Sequence, residues 1–143
     1  MAGSLAGGTV IIGLTVLIHT FGLITVTHVM ARLVAAFRMH GQHSRVVAMI
    51  SVVIGLFGVL TVEIWVWAGC YWLLGLLPDF ATALYFSTVT FSTIGYGDIV
   101  PDPGWRMFAA LEGINGFLLI GWSTAYLIAA GTRIGPFRAG EHF

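Results

Sequence analysis

Lysine is missing from this chain, and charge of either sign is scarce. Six Arg and six Asp or Glu make up 8% of 143 residues, against roughly 25% in an ordinary soluble domain. That leaves no basic surface for a nucleic-acid partner. Cys70 stands alone, which excludes an internal disulfide and a Cys-x-x-Cys metal or redox site. No Ser-His-Asp set, paired catalytic carboxylates or phosphate-cradling loop appears at usable spacing, so the residues argue against an enzyme. Arginine does not recur at every third position, which excludes a voltage-sensing helix. The residues after Thr132 are expected to form a short cytoplasmic tail over 133–143, too small for a regulatory domain. What is abundant is apolar: 58% hydrophobic residues and a mean hydropathy of +0.96 predict an integral membrane protein.

A helix crosses a bilayer with about 20 mainly apolar residues. Leu5 to Ala31, Val46 to Leu77 and Met107 to Thr132 meet that length. The first lacks the positively charged start of a signal peptide, and its apolar run outlasts the ~7–15 residues of a signal's core, so it reads as a transmembrane helix. Met30, Leu33, Val34 and Phe37 recur at helical spacing beside Arg32 and Arg38, which predicts an amphipathic interfacial extension over Val29 to Met39, broken at Gly41-Gln42. Arg32, Arg38 and Arg45 precede the second span and Arg133 and Arg138 follow the third. Both groups are expected to be cytoplasmic, with the N-terminus outside. His28, His40 and His43 near the first cytoplasmic turn read as headgroup-level histidines rather than a metal or pH-sensing cluster. Trp65, Trp67, Tyr71 and Trp72 crowd the outer half of the second span, where an aromatic belt belongs.

Asp79, Asp98 and Asp102 then fall on the external side, where Asp98 reads as a carboxylate that concentrates cations at a mouth and Asp102 as a loop carboxylate that is merely soluble. Pro78-Asp79 predicts a helix stop followed by an N-cap, and the next helix should run from about Phe80 to Phe91. Its twelve residues span roughly 18 Å, about half of the hydrocarbon thickness, as a re-entrant helix would.

After that helix comes the hydroxyl-rich run Ser87-Thr88-Val89-Thr90-Phe91-Ser92 and then Thr93-Ile94-Gly95-Tyr96-Gly97-Asp98. Glycine takes positive φ without a Cβ penalty, so Gly95 and Gly97 allow neighbouring carbonyls to turn toward one axis. Thr93 to Asp98 resembles the selectivity-filter signature of the tetrameric potassium channel superfamily. The stretch from about Val46 to Thr132 resembles its outer helix, pore helix, filter and inner helix, as in small prokaryotic three-helix members.

The resemblance implies an all-α membrane protein with three transmembrane helices, a re-entrant pore helix and a filter loop, four copies of which enclose one axis. It divides the chain into an extra N-terminal helix and cytoplasmic turn at 1–45, a pore domain at 46–132 (outer helix 46–77, pore helix 80–91, filter 93–98, inner helix 105–132) and the tail. The implied function is passive conduction of K+ across the plasma or inner membrane by a homotetramer embedded in lipid. The alternatives are a nonselective cation channel and a nonconducting regulatory subunit of another complex.

Carried over by position, Thr93, Ile94, Gly95 and Tyr96 present carbonyls to K+, and Thr93 adds its hydroxyl. Gly97, Asp98, Tyr85, Phe86, Val89 and Thr90 support the filter. Tyr85 and Phe86 replace the tryptophan pair that usually forms an aromatic cuff with the filter tyrosine. Val89 stands where some prokaryotic members carry a glutamate that braces the position of Asp98. Gly116 aligns with the glycine at which inner helices of the superfamily bend, and Gly113 and Gly121 are rivals whose other role is close packing. Ser123, Thr124, Ala125, Ala129 and Ala130 thin the cytoplasmic half of this helix.

Ionisable residues inside a membrane suggest function by default. Glu63 and His19 lie at matching depths, so a pair between them is expected, either as glue between helices or as a modulator of conduction. Glu112 lies about two turns inside the third span, with Thr88, Thr90 or an indole as expected partners. The extra first helix is expected to pack outside the second.

Overall fold

The computed structural model describes residues 2–36 and 42–133. Within them lie four α-helices: α1 (Ala2–Ala36), α2 (Gln42–Leu73), α3 (Phe80–Phe91) and α4 (Arg106–Arg133). Three are long and apolar enough to cross a membrane, over Gly3–Leu33, Arg45–Leu73 and Arg106–Arg133. α3 is short and apolar. The protein is a multi-pass, all-helical membrane protein.

α1 runs parallel to α4 and antiparallel to α2. Gly7 and Gly8 face Phe108 and Leu111 of α4 at one end, while Thr27 meets Tyr126 at the other. Between α1 and α2 the packing is reciprocal. A Cβ on Gly22 would stand 2.6 Å from Val59, and one on Gly55 would stand 2.6 Å from Val26, so each helix gives up a side chain where the other presents a valine. The expected position of α1 outside α2 needs correction: α1 lies against α2 and α4 together. Asn115 Nδ2 donates to Thr15 Oγ1 at 2.9 Å, and Tyr126 shares a 2.6 Å hydrogen bond with Thr27. The Thr27 hydroxyl already donates to the Leu23 carbonyl, so Tyr126 is the donor.

α2 ends four residues before the expected Leu77. Gly75 takes φ +67, Gly75 N–H bonds the Trp72 carbonyl at 3.0 Å and Leu76 N–H bonds the Tyr71 carbonyl at 2.9 Å. This is a Schellman cap, and a glycine at the left-handed position stops the helix before Pro78 is reached. At the other end Gln42 is helical rather than a breaker. α1 continues without interruption through Ala36, so the residues from Val29 onward extend the first helix. Phe37, Arg38, Met39, His40, Gly41 and Arg138 lie outside the described residues.

Two apolar clusters fill the bundle. One, around Trp67, Tyr71, Phe86, Phe91 and Phe108, lies at the α3 end. The other, around Leu23, Val26, Val52 and Leu56, lies toward the opposite end. The expected aromatic belt therefore splits. Trp65 and Trp72 are 55% and 49% exposed, with Phe80 edge-on against each, whereas Trp67 and Tyr71 are fully buried, because Phe108 of α4 packs on both rings and Phe86 of α3 on Tyr71.

Candidate functional site

Asp79 starts α3. Its carboxylate accepts from the Thr82 N–H at 2.9 Å and the Thr82 hydroxyl at 2.8 Å, which satisfies an orphan donor of the first turn. These bonds hold the Asp79 acid below the ordinary carboxylate value. The far end of α3 rests on α4 through backbone. A Cβ on Gly116 would overlap the Phe91 carbonyl oxygen and stand 2.7 Å from its carbon, and one on Gly113 would meet the Thr90 oxygen at 3.7 Å. Glycines three apart on one helix face make this seat. Gly121 has open space around it.

Beyond Ser92 the chain leaves the helix, tethered at one carbonyl. Val89 O accepts from Ile94 N–H at 3.0 Å and from Gly95 N–H at 3.2 Å, while Thr93 N–H bonds Thr90 O at 3.0 Å. Val89 thus acts through its backbone, while its side chain is buried. From there φ is positive at every second residue: +62 at Thr93, +56 at Gly95 and +76 at Gly97. In an ordinary strand successive carbonyls alternate sides; alternating the sign of φ turns them to the same side. Two of these positions are glycines that take the conformation freely. Thr93 is β-branched, and for such a residue positive φ is strained, a kind of strain that clusters at functional sites. Sequence reasoning anticipated the glycines but missed Thr93, since nothing in its side chain favours that geometry.

The carbonyls of Thr93 to Asp98 accept no hydrogen bond among the described residues. The whole segment is exposed, with Ile94 at 55% and Tyr96 at 70%. Its outer end is anchored where the Tyr85 hydroxyl donates to Asp98 Oδ2 at 2.7 Å. Phe86 turns the other way. It packs edge-on against Tyr71 with ring centroids 5.0 Å apart, inside the subunit and away from Tyr96.

Behind α3 lies Glu112, fully buried. Its expected partners Thr88, Thr90 and indoles are corrected to Tyr71, whose hydroxyl meets Oε2 at 2.7 Å, and Ser87, whose Oγ meets Oε1 at 2.5 Å. Ser87 precedes Thr88 by one residue, a rotation of about 100° around α3, and the Thr88 hydroxyl instead bonds the Leu84 carbonyl of its own helix. Farther along the bundle His19 Nδ1 meets Glu63 Oε1 at 2.9 Å, both fully buried, with Trp122 against the imidazole at 5.1 Å between centroids. His28 bonds the Ile24 carbonyl at 2.8 Å. Among the described residues no three His, Cys, Asp or Glu side chains form a metal-binding group.

A family model described as ion channel matches residues 59–133, just over half of the chain, and the protein belongs to this ion channel family. The match takes in the C-terminal part of α2, just under half of that helix, and all of α3, the Thr93–Asp98 segment and α4. Comparison with the curated proteins and with the solved structures finds no match in either.

Proposed function

We propose that the chain is one subunit of a homotetrameric potassium channel, with Thr93–Asp98 as its selectivity filter and α3 as a re-entrant pore helix. The observation that carries this reading is the alternation of φ at Thr93, Gly95 and Gly97. It yields a row of unpaired carbonyls turned one way, with the chemistry to replace the hydration shell of K+. Thr93, Ile94, Gly95 and Tyr96 supply those carbonyls, and Thr93 adds its hydroxyl. Irregular backbone at membrane depth must be enclosed by protein or line an aqueous path. A single subunit leaves the segment exposed, so four copies around one axis supply the enclosure.

In this arrangement the C-terminal end of α3 points toward the ion path, where its partial negative charge favours a cation. The ends carrying Arg32, Arg45 and Arg133 lie in the cytoplasm, and Asp98 and Asp102 line the outer mouth. Reconstitution in liposomes with potassium, rubidium and sodium flux, and barium as blocker, tests the proposal. Expected are barium-sensitive potassium and rubidium fluxes well above sodium, lost in Gly95→Ala. Equal sodium and potassium flux would mean a nonselective cation channel. No flux from folded tetramers would mean a nonconducting regulatory subunit.

A further inference from the structure

The cluster behind α3 contains more hydrogen bonds than its hydroxyl groups have protons. Three oxygen–oxygen contacts run in series: Tyr71 Oη to Glu112 Oε2 at 2.7 Å, Glu112 Oε1 to Ser87 Oγ at 2.5 Å, and Ser87 Oγ to the Ile64 carbonyl at 2.9 Å. Each needs a proton between its oxygens, since facing lone pairs repel at such distances. Tyr71 supplies one and Ser87 another. The Ile64 carbonyl supplies none, and neither would an ionised carboxylate. The third proton has one source in the cluster, the carboxyl group of Glu112.

We infer that Glu112 is a neutral acid whose proton positions the pore helix: Oε1–H donates to Ser87 Oγ, Oε2 accepts from Tyr71, and Ser87 is thereby free to donate to the Ile64 carbonyl of α2. An ionised Glu112 would draw the Ser87 proton toward itself and leave the Ile64 contact with none. α2, α3 and α4 meet in this chain of oxygens, so its loss removes the hydrogen bond that ties Ser87 of α3 to the α2 backbone.

The surroundings agree with a neutral acid. α2 presents Tyr71 and Cys70 toward Glu112, α3 presents Ser87, and neither brings a cation. α1 meets this end of α4 through Gly7 and Gly8, and its buried His19 is engaged by Glu63 in a hydrogen bond. A lone carboxylate here would be buried without a counter-charge. The positioning role rests on the pore reading for its consequence, whereas the proton itself does not.

Infrared spectroscopy of the full chain in lipid bilayers at neutral pH tests this. The expected result is a protonated-carboxyl C=O band that disappears in Glu112→Gln, persists in Glu63→Gln and shifts in Ser87→Ala, where Oε1–H loses its acceptor. The absence of any carboxyl band sensitive to Glu112→Gln overturns the inference. If that variant does not fold, Ser87→Ala decides alone, and a carboxyl spectrum it leaves unchanged overturns the inference equally. For the positioning role, Gln offers one donor and one acceptor edge and should keep the melting temperature near wild type, while Glu112→Ala lowers it. Equal losses for Gln and Ala would overturn that role. The spectra need no conducting pore, so failure of the flux measurement and failure of this inference are separate results.

Discussion

Tyr85 and Asp98, thirteen residues apart, are joined by a 2.7 Å hydrogen bond that ties the outer end of the Thr93–Asp98 segment to the helix before it. With Val89 O holding Ile94 and Gly95 at the inner end, the segment is fixed at both ends by its own chain. Neither the tryptophan pair nor the glutamate of the resembled pattern takes part. A phenol does the anchoring from one of the substituted positions.

Removing that phenol should act on the Thr93–Asp98 segment proposed as the filter and spare the fold. Tyr85→Phe is expected to retain helical circular dichroism but to lower the potassium-to-sodium flux ratio and hasten the decay of flux. Asp98→Asn should act in the same direction. Since both remove one bond, the double variant should add little to either single, and full additivity in a double-mutant cycle would mean that the residues act separately.

Acid should weaken the start of α3. Because Asp79 is held below the ordinary carboxylate value by its bonds to Thr82, its contribution is present above the unfolded value of about 3.9 and drains away as pH falls through the folded value. Thermal melts across pH should show a steeper acid loss in wild type than in Asp79→Asn. Asp79→Ala should already melt lower at neutral pH, having no cap.

Gly116 and Gly121 of α4 should separate cleanly. Gly116→Ala forces a methyl group into the Phe91 backbone and is expected to cost about 1–3 kcal/mol by overpacking. Gly121→Ala meets open space and should leave the melting temperature nearly unchanged. Equal effects in detergent unfolding would contradict the seat at Gly116.

The His19–Glu63 pair invites a cycle of its own. Losing one partner of a buried pair is expected to cost about 3–5 kcal/mol. His19→Leu and Glu63→Leu should each destabilise strongly, whereas the double variant should recover most of the loss, because neither partner is then left buried without the other. Unfolding titrations of the four proteins measure this.

Much of the architecture was legible because membrane length and helix capping are local signals. The α3 boundaries, Phe80 to Phe91, follow from Asp79 and the length of the apolar run, and the His19–Glu63 contact follows from matched depth. Where the reading failed, the cause was tertiary. Nothing along the chain distinguishes Trp67 and Tyr71, which Phe108 of α4 covers, from Trp65 and Trp72, which stay half exposed. Glu112 was placed at the right depth but given the wrong partners, since Ser87 and Tyr71 reach it from two helices whose rotations no local pattern fixes. Gly75 is a local stop signal that precedes Pro78, since a glycine followed by an apolar residue at a helix end is the mark of a Schellman cap.

Thr15 and Thr27 bind α1 to α4 at Asn115 and Tyr126, eleven residues apart on α4 and about three turns from one another. Both Gly116 and Gly121 fall between these two ties. A bend of α4 at either glycine would pull Asn115 and Tyr126 out of line with a straight α1 and break at least one bond. The two helices therefore behave as a laminated beam, in which one layer flexes only if the other flexes or slips. Any hinge in this protein would be a hinge in two helices, and α1, with Phe21 and Val10 facing outward at 65% and 69% exposure, would carry that motion to the surrounding lipid.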